Sequence, residues 1–467
     1  MGILSTYIVP HPPITVSEIG KGREKSVEDI ITSYNDVAKQ ISDIQPDTII
    51  VITPHSTIYA DYFHISSGTS AYGNFTNFGA PNVSFNVNYD QELAETIGSV
   101  SVTSHIQAGC LGDAIEELDH GTMVPLYFIN KFYTNYKLVR ISISDYSTFT
   151  HYEFGKCINE ACDKLNRKCI LIASGDLSHY LSDDGPYEYH TEGAIYDSMI
   201  TDTMKNASFM NILTFNNDFI SNAGTCAHKP FAILAGAMDG KDIVSNFHAY
   251  NGSLGVGYAI CSFSPVNASK INSKRQFDIH FKKSIKIELD SRKRNENPYV
   301  KLARLTVEQL VLNNRFLTFN DIAEFLEEEM VNKTAGVFVS IKKNGEVRGC
   351  VGTTISTTSC IAHEIVTNAI NASHNDPRFV PVSVDELPYL TYSVDILNEP
   401  EVISSLNELD VLKYGILVTS DNKRGLLLPN LDSVKTPEQQ LEIALKKAGI
   451  NKEENYIIEK FEVTRYK

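Results

Sequence analysis

The sequence predicts an α/β domain followed by a second domain that combines helices with a β-hairpin. From residue 1 to about residue 265, short apolar runs alternate with longer amphipathic stretches. Such alternation is typical of a sheet that is covered by helices. Residues 267–297 break the pattern, because they hold nine Lys or Arg against four Asp or Glu. A different pattern then begins, so we divide the chain into 1–265, 266–296 and 297–467.

Each element of the first domain rests on a local pattern. Apolar runs rich in β-branched residues predict its strands, at 3–9, 48–52, 137–144, 168–173 and 254–262. Helical periodicity lies between these runs, at 26–41 and 189–204. The 467 residues exceed what one ordinary core organises, which agrees with more than one domain.

Residues 266–296 are interpreted as a solvated basic linker, since a charge run is usually a solvated segment. Alternating apolar residues at 284–290 suggest one edge strand within it. In the second domain, amphipathic periodicity predicts helices at 297–314 and 319–332. Two alternating runs over 337–352 flank Asn344-Gly345, which is the strongest short signal for a hairpin turn.

The composition excludes one class of function. The chain has 41 Lys or Arg and 57 Asp or Glu, a formal net charge of −16, whereas nucleic-acid binding needs a basic field. No apolar run reaches the roughly 18 residues of a membrane span, and the first residues are typical of a strand rather than a signal peptide. The eight cysteines form no C-x-x-C pair, which indicates reduced thiols. We therefore expect a cytoplasmic protein without nucleic-acid or membrane partners.

Two Pro-His pairs follow apolar, β-branched runs, in "VPHPP" and "TPHS". Because proline cannot continue a central strand, His11 and His55 mark the carboxyl ends of two strands. Ligands bind at those ends in open α/β sheets. A right-handed crossover from the first strand to the second should set the two histidines close together. Two neutral imidazoles that converge in a cleft suit Fe, Zn or Cu.

Two further stretches carry polar clusters. "LDHGTMVPL" contains Asp119 and His120, and "LIASGDLSHYL" contains Asp176, Ser178 and His179. Polar residues that follow a buried strand predict a loop over a site. A histidine there suits general acid–base work, because its ordinary pKa lies near neutrality. The alternatives are a helix N-cap for Asp176 and a hydrogen-bonded core histidine for His120.

The order of "VPHPP", "TPHS", "DHGTMVPL", "SGDLSH" and "GTCAHKPFAILAGAMDG" resembles the LigB superfamily over about the first 265 residues. That superfamily contains the extradiol ring-cleaving dioxygenases and the Memo proteins. The resemblance implies a mixed sheet flanked by helices and a small aromatic, catechol-like substrate. It also implies roles for individual residues: His11 and His55 as Fe(II) ligands, His179 as the catalytic acid–base residue, and His120 as a catalytic residue that lines the substrate pocket. We further predict Asp176, Ser178 and His228 as substrate-binding residues.

The chain departs from the dioxygenases in the last of these motifs. Where many relatives read Glu-Cys-Gly, residues 224–227 read Gly-Thr-Cys-Ala. Thr225 therefore takes the carboxylate position and cannot act as an anionic ligand. Cys226 is available instead, and the Memo branch places a cysteine in its metal site. A His₂Cys site would tolerate Zn or Cu as well as Fe. The alternative for Cys226 is a small residue buried ahead of an apolar helix.

The second domain resembles the AMMECR family from about residue 296 to 467, through "VFVSIKKNGEVRGCVGT", "NDPRFVPVSVDELPYL" and "GLLLPN". This resemblance implies an α+β fold. The candidate functional residues are Arg348, Cys350 and Arg378. Cys350 beside an arginine is compatible with a reactive thiolate, although a packed cysteine on a Gly-flanked strand is the favoured alternative. Asp376 and Arg378 are expected to form an ion pair within a turn.

These resemblances lead to two functional hypotheses. The first is a nonheme-iron oxidoreductase that acts on a catechol-like molecule. The second is a Memo-like module that holds a metal or ligand without oxygenation. The fused arrangement resembles AmmeMemoRadiSam system protein A, which implies a radical S-adenosylmethionine enzyme as partner. A homo-oligomer is compatible with either hypothesis.

Overall fold

The computed structural model describes residues 2–112, 117–266, 270–317, 319–322, 324–343, 345–431 and 434–467. The chain divides into two compact units, Met1–Phe281 and Lys282–Lys467. This division falls inside the predicted linker 266–296. No helix among the described residues is long and apolar enough to cross a membrane.

The first unit contains strands and helices in alternation. Its strands are β1 (Gly2–Val9), β2 (Thr48–Thr53), β3 (Phe63–His64), β4 (Ser70–Phe75), β5 (Ala80–Asn88), β6 (Ala108–Gly109), β7 (Lys137–Ser142), β8 (Lys168–Ser174), β9 (Ile243–Asn251) and β10 (Tyr258–Pro265). Its helices are α1 (Ser17–Gly20), α2 (Glu28–Ile44), α3 (Gln91–Thr103), α4 (His120–Ile129), α5 (Thr148–Lys164), α6 (Thr191–Asn206), α7 (Met210–Thr214), α8 (Asn217–Ala223) and α9 (His228–Ala237). The predicted strands and both predicted helices are confirmed within a few residues.

The main sheet of the first unit is mixed, in the order β7-β2-β8-β1-β10-β9. Strands β7, β2, β8 and β1 are parallel, whereas β10 and β9 run antiparallel to their neighbours. All six residues of β2 are buried, because helices cover both faces of the sheet. One core lies on the side of α3, α5 and α9 and another on the side of α2 and α4.

The strand order adds a feature that the sequence argument did not specify. β1 and β2 are not neighbours, since β8 lies between them and pairs with both. A local pattern cannot reveal this, because the inserted strand follows about 115 residues after the end of β2. The strand ends still lie close, because one intervening strand separates them by only about 10 Å.

The second unit contains an antiparallel sheet in the order β12-β11-β13-β17-β15-β16, with β14 paired to β17. Its strands are β11 (Gly336–Lys343), β12 (Glu346–Gly352), β13 (Leu390–Leu397), β14 (Glu401–Val402), β15 (Tyr414–Ser420), β16 (Lys423–Leu427) and β17 (Ile457–Tyr466). Helices α11 (Pro298–Asn313), α12 (Phe319–Ile322), α13 (Glu328–Asn332), α14 (Ile361–Ile370) and α15 (Pro437–Ala448) complete it. The α+β prediction is confirmed.

Two predicted elements are wrong in detail. The edge strand at 284–290 is part of a helix, α10 (Phe277–Arg294). Its alternating apolar residues favour a strand, but Phe277 and Phe281 stand four residues apart and both pack on the core of the first unit, which is helical spacing. The single helix predicted at 319–332 is two short helices instead. The hairpin is confirmed by β11 and β12, and Asn344 of its turn lies outside the described residues.

Candidate metal centre

The site lies where β1, β8 and β2 end side by side. Each of the outer two strands ends at a proline that precedes a histidine, His11 after β1 and His55 after β2. Ser174 is the last residue of β8, between them. Parallel strands place their carboxyl ends at one edge of the sheet, so three short segments converge there.

Three possible metal donors meet at this edge. The Nε2 atoms of His11 and His55 lie 3.0 Å apart, and Cys226 Sγ lies 3.6 Å from His11 Nε2. All three donor atoms fall within 4.8 Å of one another. Metal bonds of about 2.1 Å to nitrogen and about 2.3 Å to sulfur place donor atoms roughly 3 to 3.6 Å apart. Two of the three separations lie in this range and the third is at most 4.8 Å, so the group could hold a metal ion.

His11 is held in one orientation by a chain of hydrogen bonds. Ser174 Oγ donates to the carbonyl of Gly121 at 2.6 Å, so it accepts from His11 Nδ1–H at 2.9 Å. This arrangement leaves Nε2 unprotonated and pointed at the other donors, as a metal ligand requires. A Cβ at position 121 would lie 2.5 Å from Thr53 Oγ1. Glycine there lets α4 approach the strand ends closely.

Cys226 is placed by a loop that is fastened to the loop after β8. Asp176 N–H donates to Cys226 Sγ at 3.1 Å. The hydroxyl of Thr225 donates to the carbonyl of Asp176 at 3.1 Å and accepts from Ala227 N–H at 3.1 Å. The hydroxyl of Thr225 is thus engaged in hydrogen bonds with backbone groups. Cys226 Sγ, and not Thr225, therefore lies beside His11 and His55 as the third possible donor.

Burial sets the protonation of the donors. Burial and neighbouring histidines lower the pKa of His11 and of His55 to about 3, so both imidazoles are neutral at pH 7. Burial, with Asp176 nearby, raises the pKa of the Cys226 thiol. Burial also raises the pKa of Asp176 to about 6. Its Oδ1 accepts from His11 N–H at 2.9 Å. Asp176 is not a helix N-cap, because the next helix begins only at Thr191.

His120 stands beside the donors. Its ring centroid lies 4.2 Å from that of His55 and 5.2 Å from that of His11. Asp119 is the N-cap of α4 and accepts from Thr122 N–H at 3.0 Å, which fixes the first turn that carries His120. The ring of Phe78, which is 38% exposed, contacts the ring of His120 at a centroid distance of 5.5 Å.

His179 is a second histidine near the possible metal donors. Its Nδ1–H donates to the carbonyl of Gly224, so Nε2 carries the lone pair. The partly exposed ring of Tyr187 lies 5.3 Å away. His179 is among the groups that lower the pKa of both His11 and His55, which places it within electrostatic range of the donors.

Two predicted substrate-binding residues lie away from the opening. Ser178 is fully buried, and its hydroxyl donates to the carbonyl of Ala223 at 2.7 Å. Both ring nitrogens of His228 are engaged, one with Tyr196 Oη and one with the carbonyl of Ile212, each at 3.1 Å. The structure does not bring these side chains to the metal donors, and a role in substrate binding stays a prediction.

Sequence reasoning missed four residues that shape the site. Ser174 ends β8 and could have been found by the same strand-end argument as the histidines. Phe78 and Tyr187 lie in connecting segments without a motif. Asp197, within α6, accepts from Ser178 N–H and Tyr250 Oη–H, both at 2.8 Å, and burial raises its pKa to about 7. No local signal marks such a residue.

The two candidate arginines of the second unit form ion pairs. Arg348 pairs with Glu386 at 2.8 Å, and Arg378 pairs with Asp376 at 2.7 Å. The ion pair predicted within the turn after α14 is therefore confirmed. Cys350 is half-buried, its N–H donates to Asp376, and its sulfur lies 3.2 Å from Ser340 Oγ. No general base contacts this sulfur among the described side chains.

Family comparison agrees with this geometry. Residues 5–261 match the family described as the catalytic LigB subunit of aromatic ring-opening dioxygenase. The chain belongs to the LigB family. Residues 300–467 of this LigB protein match AMMECR1, so an AMMECR1 domain follows the LigB domain.

Proteins similar to this LigB protein match either the whole chain or one part of it. CA_C1420, a protein of Clostridium acetobutylicum, is 41% identical over 474 residues and aligns along 100% of both chains. A Thermotoga maritima protein is 44% identical over 174 residues, which are 37% of this chain and 98% of its own. Among solved structures, uncharacterized protein PH0010 from Pyrococcus horikoshii is 25% identical, with a TM-score of 0.32, over 36% of this chain and 88% of its own. Uncharacterized protein JW3007 from Escherichia coli K12 is 15% identical, with a TM-score of 0.38, over 56% of this chain and 99% of its own.

Proposed function

We propose that the LigB domain is a metal-dependent oxidoreductase that acts on a small, catechol-like molecule, with Fe(II) as its metal. The observation that carries the proposal is the grouping of His11, His55 and Cys226 beside two further histidines, His120 and His179. Fe(II) in this site would supply open positions where a catecholate and O₂ can bind together. Three protein donors leave such positions open.

The remaining groups suit the handling of a phenolic substrate. His179 has an unprotonated Nε2, since its Nδ1–H is donated to Gly224, and it can accept the proton of a hydroxyl group. His120 and Phe78 offer flat surfaces to an aromatic ring, with centroids 5.5 Å apart. His55 is only partly buried, and its exposed part gives a ligand access to the donors from solvent.

One observation favours a second candidate function. The third donor is a sulfur and not a carboxylate, and a soft thiolate prefers Zn or Cu(I) to Fe(II). The domain would then hold a metal or a small ligand without oxygenation, as a Memo-like module. The fused AMMECR1 domain supports this candidate through its resemblance to proteins that accompany a radical S-adenosylmethionine enzyme. That enzyme would be the partner.

The test measures O₂ uptake and the absorbance of ring-opened product. The protein is purified without oxygen, loaded with Fe(II) and mixed with catechol or 3,4-dihydroxybenzoate. We expect turnover in the wild type and at least a 100-fold loss in His179→Gln with metal content unchanged. His190→Gln is the matched control, because His190 Nδ1 also bonds a backbone carbonyl, that of Asn222. Binding of one metal per chain without O₂ uptake would contradict the proposed oxidoreductase activity and favour the Memo-like module. Absence of bound metal would contradict both candidate functions.

A further inference from the structure

A fourth strand reaches the sheet edge at which the possible metal donors lie. Because β10 runs antiparallel to β1, its first residue, Tyr258, stands at the edge where β1, β8 and β2 end. The register of the two strands pairs Ile8 with Cys261. Its continuation by three residues sets Tyr258 opposite His11. The tyrosine is therefore the neighbour of a possible metal ligand on the adjoining strand.

Tyr258 and His11 also share one face of the sheet. Tyr258 on β10 and Val9 on β1 both pack in the core on the side of α2 and α4. Side chains alternate along a strand, so His11, two residues after Val9, is directed to that same side. The hydrogen bond from Ser174, the partner of His11, to the carbonyl of Gly121 in α4 agrees with this direction.

The loop after β8 fixes the start of β10. Leu177 N–H donates to the carbonyl of Gly257 at 2.8 Å, and Gly257 N–H donates to the carbonyl of Ser178 at 2.8 Å. A Cβ at position 257 would overlap Asp197 Oδ2, so only glycine allows this approach. The residue before Tyr258 is thus fastened to the loop that borders the possible metal donors.

The hydroxyl of Tyr258 is a donor without an acceptor in the protein. No group among the described residues forms a hydrogen bond with it. Its side chain is 6% exposed, and its hydroxyl, unlike that of Tyr89, is not closed off from solvent. Burial, followed by Asp176, Tyr187 and Cys226, raises the pKa of Tyr258, which places these three groups within electrostatic range of the hydroxyl. The proton is therefore kept, and a ligand oxygen can accept it in a hydrogen bond.

We propose that Tyr258 is a substrate-binding residue of the LigB domain and donates a hydrogen bond to a phenolic oxygen of the ligand. The inference rests on the proposed function, because it takes the catechol-like molecule as the ligand. His179, whose Nε2 carries a lone pair, can accept the proton of a phenolic hydroxyl group. The oxygen that loses this proton becomes an anionic acceptor, and hydrogen bonds to ionised acceptors are among the strongest.

The experiment is an anaerobic titration of the Fe(II)-loaded full chain with 4-nitrocatechol, whose visible absorbance changes when it binds as an anion. We expect the Kd to rise at least about fivefold in Tyr258→Phe, since phenylalanine keeps the packed ring but cannot donate. Tyr7→Phe is the matched control, because Tyr7 is a buried tyrosine of the same core and lies four residues before His11, away from the sheet edge. Its Kd should equal that of wild type.

Metal affinity, measured by competition with a chelator, separates ligand binding from a structural role. It should be the same in wild type and Tyr258→Phe, since Tyr258 supplies no metal donor. A loss of metal affinity as large as the loss of ligand affinity would overturn the inference, because the tyrosine would then act through the packing of His11.

The ligand titration also separates this inference from the proposed function. Equal Kd values for 4-nitrocatechol in wild type and Tyr258→Phe would overturn the inference and leave the proposed function standing. Absence of 4-nitrocatechol binding to the metal-loaded wild type would contradict the proposed function, and the inference with it.

Discussion

The Nε2 atoms of His11 and His55 lie 3.0 Å apart, although 44 residues separate them in the chain. They end two strands that are not neighbours, and the strand between them supplies Ser174. The candidate metal centre therefore depends on three strand ends and not on two. The middle strand fixes the tautomer of His11, which gives the first prediction.

Ser174→Ala should weaken metal binding without removing a donor. The substitution deletes the acceptor for His11 Nδ1–H, so the proton is no longer fixed on that nitrogen and the ring can turn. Loss of such a partner of a metal ligand typically reduces metal affinity about 10- to 100-fold. The measurement is a competition titration with a chelator of known affinity.

The control for this prediction is Ser142→Ala. Ser142 is also a buried serine at the carboxyl end of a parallel strand, but its hydroxyl bonds the carbonyl of His64. We expect metal affinity within about twofold of wild type for this variant. Equal losses in the two variants would show that Ser174 acts only through the packing of the sheet edge.

His151 should make the stability of the LigB domain depend on pH. It is fully buried, accepts from Ser144 N–H at 3.3 Å and donates to the carbonyl of Ser147 at 2.9 Å. Burial lowers its pKa from 6.5 to about 3. Between these values the unfolded chain binds a proton that the folded chain does not. The stabilisation present above pH 6.5 is therefore lost as pH falls, by about 1.4 kcal/mol per pH unit for this group.

The measurement compares urea unfolding of wild type and His151→Gln between pH 4.5 and 7.5. Glutamine can offer the same polar atoms but does not titrate in this range. We expect the variant to be less stable at pH 7.5. On acidification its free energy of unfolding should fall less steeply than that of wild type, by the slope that corresponds to about one bound proton. Identical slopes would mean that His151 is protonated in the folded chain, contrary to its burial.

His11 and His55 could be found from sequence because each follows a strand-ending proline, which is a local signal. Cys226 could be found through the resemblance to the LigB family, because residues 224–227 have Thr225 where that family's motif has a carboxylate. Ser174 could not be assigned its role, because its partner His11 lies 163 positions away in the chain. Asp197 could not be assigned a role either, because it accepts from the backbone N–H of Ser178, and no side-chain pattern marks such a contact. Contacts between distant segments decide what a local pattern leaves open.

Glu364 should stabilise the loop between β12 and α14. Its buried carboxylate accepts from Thr353 Oγ1 at 2.6 Å and from both the N–H and the hydroxyl of Thr357 and Thr358, at 2.8 to 2.9 Å. Burial alone would raise its pKa, yet these hydrogen bonds hold the pKa below 4.5. Glu364→Gln should lower the free energy of unfolding by about 3 kcal/mol, since an amide cannot accept all these bonds.

Chemical denaturation checks this prediction, with Glu453→Gln as control. Glu453 is an exposed residue of the same unit, and its substitution should change the free energy of unfolding by less than about 0.5 kcal/mol. A Glu364→Gln protein as stable as the control would show that solvent replaces the carboxylate at little cost.

The last prediction concerns Cys226, whose sulfur lies 3.6 Å from His11 Nε2. As the third donor, its thiol must lose its proton when a metal binds, and it should then resist alkylation. Cys226→Ser should weaken metal binding and shift the preference from Zn or Cu toward harder ions. Thr225→Glu should act differently, because it restores a carboxylate at the position that the dioxygenase motif uses, and should favour Fe(II).

Elemental analysis of bound metal per chain decides between these expectations. Cys110→Ser is the control, because Cys110 is equally half-buried and lies outside the donor group. Its metal content should equal that of wild type. Unchanged metal content and selectivity in Cys226→Ser would exclude the sulfur as a ligand. The third donor would then have to come from elsewhere, and Asp176 is the nearest alternative, since its Oδ2 lies 3.8 Å from His11 Nε2.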